Sequence, residues 1–265
     1  MKKLIVLSNH VLVVVPTYNC RKQTLELLEE IFTDGIPENT CIWFIDNLST
    51  DGTNQASSDF IKVKNLKNVH SFQTLQNNNL GGTHKIGFNE ATSNSFEYVA
   101  IFHGDNQASY KDLVSLIELC QNNDSKKSYL GSRFSRKSKL IGYSLKRKYG
   151  NIVLNLIYSI FKLRILTDLG SGLNMYLVAD LKRVNYMNFS DSLTFNYELL
   201  LEMIDQKMKF EYVPITWRET DQISNAKNIR IFLSGIGILF RNKFLKRKIY
   251  SQSEKVYGLE LNKSE

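Results

Sequence analysis

The chain has 265 residues, 43% of them hydrophobic and 23% charged, a balance that fits one large or two small globular units and excludes an intrinsically disordered chain. Its formal net charge of +8 is unevenly placed, with eleven Lys or Arg and no Asp or Glu between Ser125 and Thr167, and seven with none between Gln222 and Ser253. The rest of the chain is net acidic, which implies an anionic partner for the two basic stretches, a pair of solvated helical faces being the plainer alternative.

Met1–Leu7 begins with basic and apolar residues, but Ser8, Asn9 and His10 interrupt it before a signal-peptide core forms, so no export signal is expected. Val11–Val15 reads as a strand and Gln23–Phe32 as a helix with Leu25, Leu28 and Phe32 on one face. Cys41–Ile45, Val69–Thr74 and Tyr98–Phe102 read as further strands, with helices over Thr83–Thr92 and Asp112–Cys120. Strands alternating with helices, and no Pro- or Gly-rich linker between them, predict an α/β fold: a mostly parallel, twisted sheet with helices on both faces. In the second half, Lys146–Leu163 reads as a basic helix with an apolar stripe, Asn174–Val178 and Phe210–Thr216 as strands, and Phe195–Gln206 as a helix.

Near the C-terminus, Ile231–Phe240 is about half of the roughly 20 apolar residues that span a bilayer, so no transmembrane helix is expected. Arg230 precedes this run, and Arg241, Lys243, Lys246, Arg247 and Lys248 follow it. Two readings stand: the segment lies on an anionic membrane surface, or it packs as a helix on the catalytic domain or on a second subunit of a homo-oligomer. Cys20, Cys41 and Cys120 are odd in number and widely spaced, fitting neither a disulfide framework nor a zinc site. They read as reduced thiols of a cytoplasmic protein, either free or peripheral at the inner face of the membrane.

Ligands of a parallel sheet lie beyond the carboxyl ends of its strands. Val11–Val15 runs into Pro16-Thr17-Tyr18-Asn19, Cys41–Ile45 into Asp46-Asn47, and Tyr98–Phe102 into His103-Gly104-Asp105-Asn106-Gln107. Three strands thus deliver polar clusters to one edge. Asp105 and Gln107 leave their strand on alternate positions, so both can address one point, and oxygen ligands of this kind suit Mg²⁺ or Mn²⁺ completed by phosphate oxygens. His103 adds a ligand or a supporting hydrogen bond. A polar turn capping the helix at Tyr110 is the alternative. Asp46, followed by a tight turn through Asp51 to Thr53, can accept hydrogen bonds from a nucleobase or ribose, or belong to a helix N-cap cluster. Asn77, Gly81, Gly82, Lys85 and Gly87 place small residues and a cation at a loop-to-helix transition, where phosphate can be met. The Gly-Lys-Ser/Thr ending of a Walker loop is absent.

The order of Val13–Asn19, Ile45–Thr53, the Asn77–Gly87 loop, His103–Gln107, Leu130–Arg133, Thr167–Gly172 and Glu211–Trp217 resembles the family 2 glycosyltransferases of GT-A fold. It is most similar to the branch containing dolichol-phosphate mannosyltransferase and related polyprenyl-phosphate sugar transferases, over about residues 11 to 227. The resemblance implies a catalytic domain over 1–227, with a Rossmann-like nucleotide half at about 11–133, an acceptor half at about 134–227 and a basic helical segment at 228–265. It implies a metal-dependent transfer, with inversion, from a nucleotide diphosphate sugar to a polyprenyl-phosphate or cell-surface glycan. Pro16, Thr17, Asn19 and Asp46 would line the nucleotide pocket with Asp51 supporting its turn, Lys85 and Gly104 would face the donor, and Asp105, Gln107 and His103 would hold the metal. Arg133 would face a phosphate, and Asp168 would be the acceptor-side base with Glu198 as second candidate.

The sequence departs from that pattern in places. His103 stands where the first Asp of Asp-x-Asp is usual, Asn47 where a second Asp is usual, and Cys20 where that branch often has Glu. The distal Arg-x-x-Gly-x-Ser-Lys motif is reduced to Ser224-Asn225-Ala226-Lys227. Two other classes compete. A sugar-phosphate nucleotidyltransferase would carry a Gly-rich loop with Arg after the first strand, where Pro16–Asn19 stands. A degenerate transferase would only bind a polyanion through its basic face. A nucleic-acid partner is not expected, because no recognised binding module accompanies the basic segments.

Overall fold

The computed structural model describes residues 10–123, 125–219, 227–244 and 257–261. The readings placed on Met1–Leu7, on Ser224–Ala226 and on Lys246–Lys248 lie outside the described residues.

The first half builds four parallel strands: β1 (Val11–Thr17), β2 (Thr40–Asp46), β3 (Val69–Thr74) and β4 (Tyr98–Phe102). Helices α1 (Arg21–Asp34), α2 (Thr53–Val63) and α3 (Asn79–Ser93) connect them, and α4 (Tyr110–Gln121) follows β4. The second half adds β5 (Ser128–Ser132), β6 (Lys139–Ile141), α5 (Leu145–Lys162), β7 (Leu173–Leu177), α6 (Val178–Leu181) and α7 (Phe195–Asp205). It closes with β8 (Phe210–Pro214), β9 (Thr216–Arg218), α8 (Lys227–Phe244) and β10 (Leu259–Leu261). The main sheet runs β10-β3-β2-β1-β4-β7-β5-β8, and β6 pairs with β9 in a small second sheet. Only β7 and β10 run against the others. This is the expected mostly parallel α/β sheet.

β1 is apolar at nearly every position and not only at alternate ones because both of its faces are covered. Val11, Val13 and Val15 enter one core with α1 and α4, while Leu12 and Val14 enter the other with α3 and α7. At Gly87 the backbone of α3 comes so close to β1 that a Cβ would lie 2.7 Å from Val14 Cγ2.

Two local expectations shift, and one of the two readings of the C-terminal run gains support. α1 buries Thr24, Leu27, Leu28 and Ile31 with Leu25 packed against the same core, but Phe32 is turned outward, its ring 4.2 Å beneath the Lys64 ammonium. The strand read over Phe210–Thr216 is split at Ile215: Ile215 N donates to Ser132 O at 3.1 Å as the last rung on β5, and from Thr216 the chain pairs with β6 instead. The C-terminal apolar run packs inward. Ile238 and Leu239 are buried, Tyr158 OH of α5 donates to Gly235 O at 2.7 Å, and α8 lies against α5 and α7. Among the described residues, no helix is long and apolar enough to cross a membrane.

Candidate active site

The carboxyl ends of β1, β2 and β4 are tied together by main-chain bonds. Asn47 N donates to Thr17 O at 2.9 Å, Gly104 N to Pro16 O at 3.0 Å and His103 N to Gly172 O at 2.9 Å. The approach requires glycine at 104, where a Cβ would lie 2.5 Å from Thr17 Cγ2. Beyond these ends opens a cleft of about 820 Å³, the size of a small-molecule site. Pro16, Asn19, His103, Asp105, Gln107 and Arg133 all line it.

Asp105 sits at the floor. Burial pushes its carboxyl up from the ordinary value, while His103 and the backbone N–H groups of Gln107 and Asp105 itself pull it partly back. His103 is lowered by burial; Asp105 opposes that shift and Arg133 adds to it. His103 Nε2 and Asn106 Oδ1 are buried without a hydrogen-bond partner, and Asn106 adopts φ 53°, a left-handed geometry that Asn tolerates better than most residues. A desolvated carboxylate beside two orphaned polar atoms is the environment a cation relieves. Among the described residues, no three His, Cys, Asp or Glu side chains cluster as a metal site. Asp105, His103 Nε2 and the Gln107 amide nonetheless suit an ion that keeps water and takes phosphate oxygens as its other ligands.

The side of the cleft at β1 is braced by two carboxylates that do not line it. Asp46 accepts from Ser49 N at 2.9 Å and Ser49 Oγ at 2.5 Å, and from Gln73 Nε2 at 3.3 Å and Thr17 Oγ1 at 3.4 Å. Thr17 is itself buried behind the lining. Asp51 accepts from Arg21 N at 3.0 Å and Thr53 Oγ1 at 2.5 Å. Burial raises the Asp51 carboxyl, but these hydrogen bonds together outweigh it and hold it below its ordinary value. Asn19 completes the lashing, with φ 48° and its side-chain oxygen accepting from Thr50 N at 2.8 Å.

Across the cleft, Arg133 Nε and Nη2 grip the two oxygens of Asp168, each at 2.8 Å. Gly170 N and Arg133 N also donate to that carboxylate. Burial works against the charged guanidinium, but Asp168 more than offsets it and keeps Arg133 above its usual value. The guanidinium faces the Trp217 ring at 5.2 Å. Both Asp168 oxygens are thus engaged, and Asp168 is not among the lining residues. Glu198 also lies off the cleft and accepts Ser190 N at 2.7 Å; its helix presents Asn196 and Tyr197 to the cavity in its place.

Lys85 departs furthest from its expected place at the donor phosphates. It is fully buried in α3 and donates to Phe189 O at 2.5 Å, Asp191 Oδ1 at 2.7 Å and Tyr257 OH at 3.1 Å. A buried ammonium is tolerable only with such partners, so it staples α3 to the loop before α7. The sequence marks no individual cleft residue on α5 or α8, where Tyr143 just ahead of α5 and Lys146, Arg147 and Asn151 on it line one side and Ile231 and Phe232 of α8 also line the cavity. Their sequence signals are the basic stretch for α5 and the apolar run Ile231–Phe240 for α8.

A mostly parallel sheet whose strand ends open on a cleft floored by His103, Asp105 and Gln107 defines the GT-A class of glycosyltransferase. The chain belongs to glycosyl transferase family 2, whose family model matches residues 12–184, more than half of its length. None of the curated proteins compared with it matches. It is similar to the solved glucosyl-3-phosphoglycerate synthase from Mycobacterium tuberculosis in complex with UDP, at 13% identity and TM-score 0.61 over 88% of this chain and 79% of that one. It is also similar to a Pyrobaculum calidifontis mannosyltransferase in complex with GDP-Man and Mn²⁺, at 16% identity and TM-score 0.59, covering 88% and 63%. A third likeness is S. aureus TarS 1–349 with UDP, at 18% identity and TM-score 0.58, covering 88% and 66%. At these identities the likeness shows the fold.

Proposed function

We propose that this glycosyltransferase moves a sugar, with inversion, from a nucleotide diphosphate donor to a polyprenyl phosphate, as in the branch that contains dolichol-phosphate mannosyltransferase. The observation that carries the acceptor is a shortage of bases. Asp105 is the one carboxylate among the described lining residues, and the donor-side role claims it. A sugar hydroxyl needs a base to take its proton, but Asp168 is consumed by Arg133 and Glu198 faces elsewhere. A phosphate arrives already ionised and needs none.

In this reading Pro16 and Asn19 receive the nucleotide, held in place by the lashings of Asp46 and Asp51. Asp105, Gln107 and His103 hold Mg²⁺ or Mn²⁺, which when bound neutralises the growing charge on the departing diphosphate. Ligands of the kind bound in the similar structures, UDP in one and GDP-Man with Mn²⁺ in another, suit a cleft of this size. Arg133, fixed by Asp168, presents its remaining charge to phosphate, and Lys146 with Arg147 draws the anionic acceptor toward an anionic donor.

The test is release of nucleoside diphosphate from UDP- and GDP-sugars with Mn²⁺, with polyprenyl phosphate or an oligosaccharide as acceptor. Turnover confined to the phosphate acceptor is the expected result. Turnover only on hydroxyl acceptors would reject the acceptor assignment, and none with any donor would reject transfer itself.

A further inference from the structure

α5 has two apolar faces, and only one is covered by the described residues. Leu154 and Tyr158 point into the protein, with Phe161 packed edge-on against Phe240 of α8 at 5.5 Å. On the opposite side Leu145, Tyr149, Ile152, Leu156 and Ile160 recur every three or four residues and are all exposed, Leu156 at 58% and Ile160 at 61%. Leu163, just past the helix, continues the row at 93% exposure. At 100° per residue these positions fall within one narrow arc, whereas exposed apolar residues on a soluble surface are ordinarily scattered.

The charge around this stripe says what covers it. The helix lies inside the 125–167 stretch of eleven cations, of which Lys126, Lys127, Arg133, Arg147 and Lys162 pair with Glu97, Glu211, Asp168, Glu219 and Asp205, while Arg136, Lys137, Lys139 and Lys146 are exposed just before and at its start. An apolar stripe bordered by cations is the composition of a helix lying in a bilayer surface that carries anionic headgroups. A second copy fits less well, since pairing stripe to stripe would bring the exposed cations Arg136, Lys137, Lys139 and Lys146 of both chains into one interface. α5 also forms a wall of the active-site cleft through Lys146, Arg147, Asn151 and Leu154.

We infer that the outer face of α5, through Leu145, Tyr149, Ile152, Leu156, Ile160 and Leu163, docks the enzyme on an anionic bilayer surface. That places the acceptor wall of the cleft beside the membrane. The docking stands without the proposed reaction, while its consequence for a lipid-borne acceptor rests on that reading.

The test is co-sedimentation of the full chain with phosphatidylcholine vesicles, with and without about 30% phosphatidylglycerol, for wild type and the triple variant Leu156→Gln, Ile160→Gln, Leu163→Gln. Wild type should bind the anionic vesicles, more weakly at about 0.5 M salt, and the triple variant should bind at least about 10-fold less with its melting temperature unchanged. Nucleoside diphosphate release with detergent-solubilised acceptor should be equal for both proteins, so a failure of transfer is read separately from a failure of docking. Equal sedimentation of the two proteins, or equal binding to neutral vesicles, would overturn the inference. So would a dimer in sedimentation velocity that the triple substitution dissociates.

Discussion

Arg133 and Asp168 lie nearly buried, with side-chain exposures of 11% and 1%, so removing either partner strands a charge. Asp168→Ala is expected to cost about 3–5 kcal/mol of stability, read as a lowered midpoint in urea unfolding. An acceptor-side base would behave otherwise, losing turnover at unchanged stability, and that outcome would restore Asp168 to catalysis. His84 offers a second test at this scale. It is fully buried beside His103, and burial, reinforced by His103 and opposed by the Asn196 side chain, holds it well below the ordinary imidazole value of 6.5. An imidazole kept neutral in the fold favours folding fully above that value, and the benefit drains away as pH falls below it. Each excluded proton steepens the loss by up to about 1.4 kcal/mol per pH unit. His84→Leu should therefore flatten the dependence of unfolding free energy on pH from 6.5 down to about 5; an unchanged slope would contradict the burial argument.

At the scale of elements, α3 is held by close approach on one side and by an ammonium on the other. Gly87→Ala would force a Cβ into Val14 and is expected to destabilise by about 1–3 kcal/mol, checked by thermal unfolding. Lys85→Met should also lower stability, by about 1.5–3 kcal/mol for lost charge-assisted bonds, while donor affinity stays as in wild type. A loss of donor affinity alone would return Lys85 to the phosphates. These cases also mark what the sequence made legible. β1 to β4 read clearly because strands covered on both faces are continuously apolar. β5, Ser-Tyr-Leu-Gly-Ser, gave no such pattern, being short, half polar and interrupted by Gly131. The Asp105 end of the cleft is readable as a motif at a strand end, and Arg133 only through the family resemblance. Lys85 was misplaced because a glycine-flanked lysine looks alike whether it meets a phosphate or Asp191, and only packing decides between them. Glu198 was taken over Asn196 and Tyr197 because it is acidic, yet helix geometry points neighbouring positions in different directions.

For the whole molecule, the charge asymmetry noted first falls into place along α5, whose cations border both the cleft and the exposed stripe, while the apolar run of α8 closes the core. The sheet gathers the ends of β1, β2 and β4 at one edge, so that Asp46 braces the crevice and Asp105 lies in it. That gathering is the central claim, and it requires Asp105 to be the point at which a divalent ion and a nucleoside diphosphate bind together. The most direct measurement is calorimetric titration of UDP and GDP into the protein with and without Mn²⁺, repeated on Asp105→Asn. At least one nucleotide should bind with Mn²⁺ at least about 10-fold more tightly than without it, and the substitution should abolish that gain while leaving thermal stability intact. Binding that is indifferent to the ion, or a gain that survives Asp105→Asn, would contradict the account.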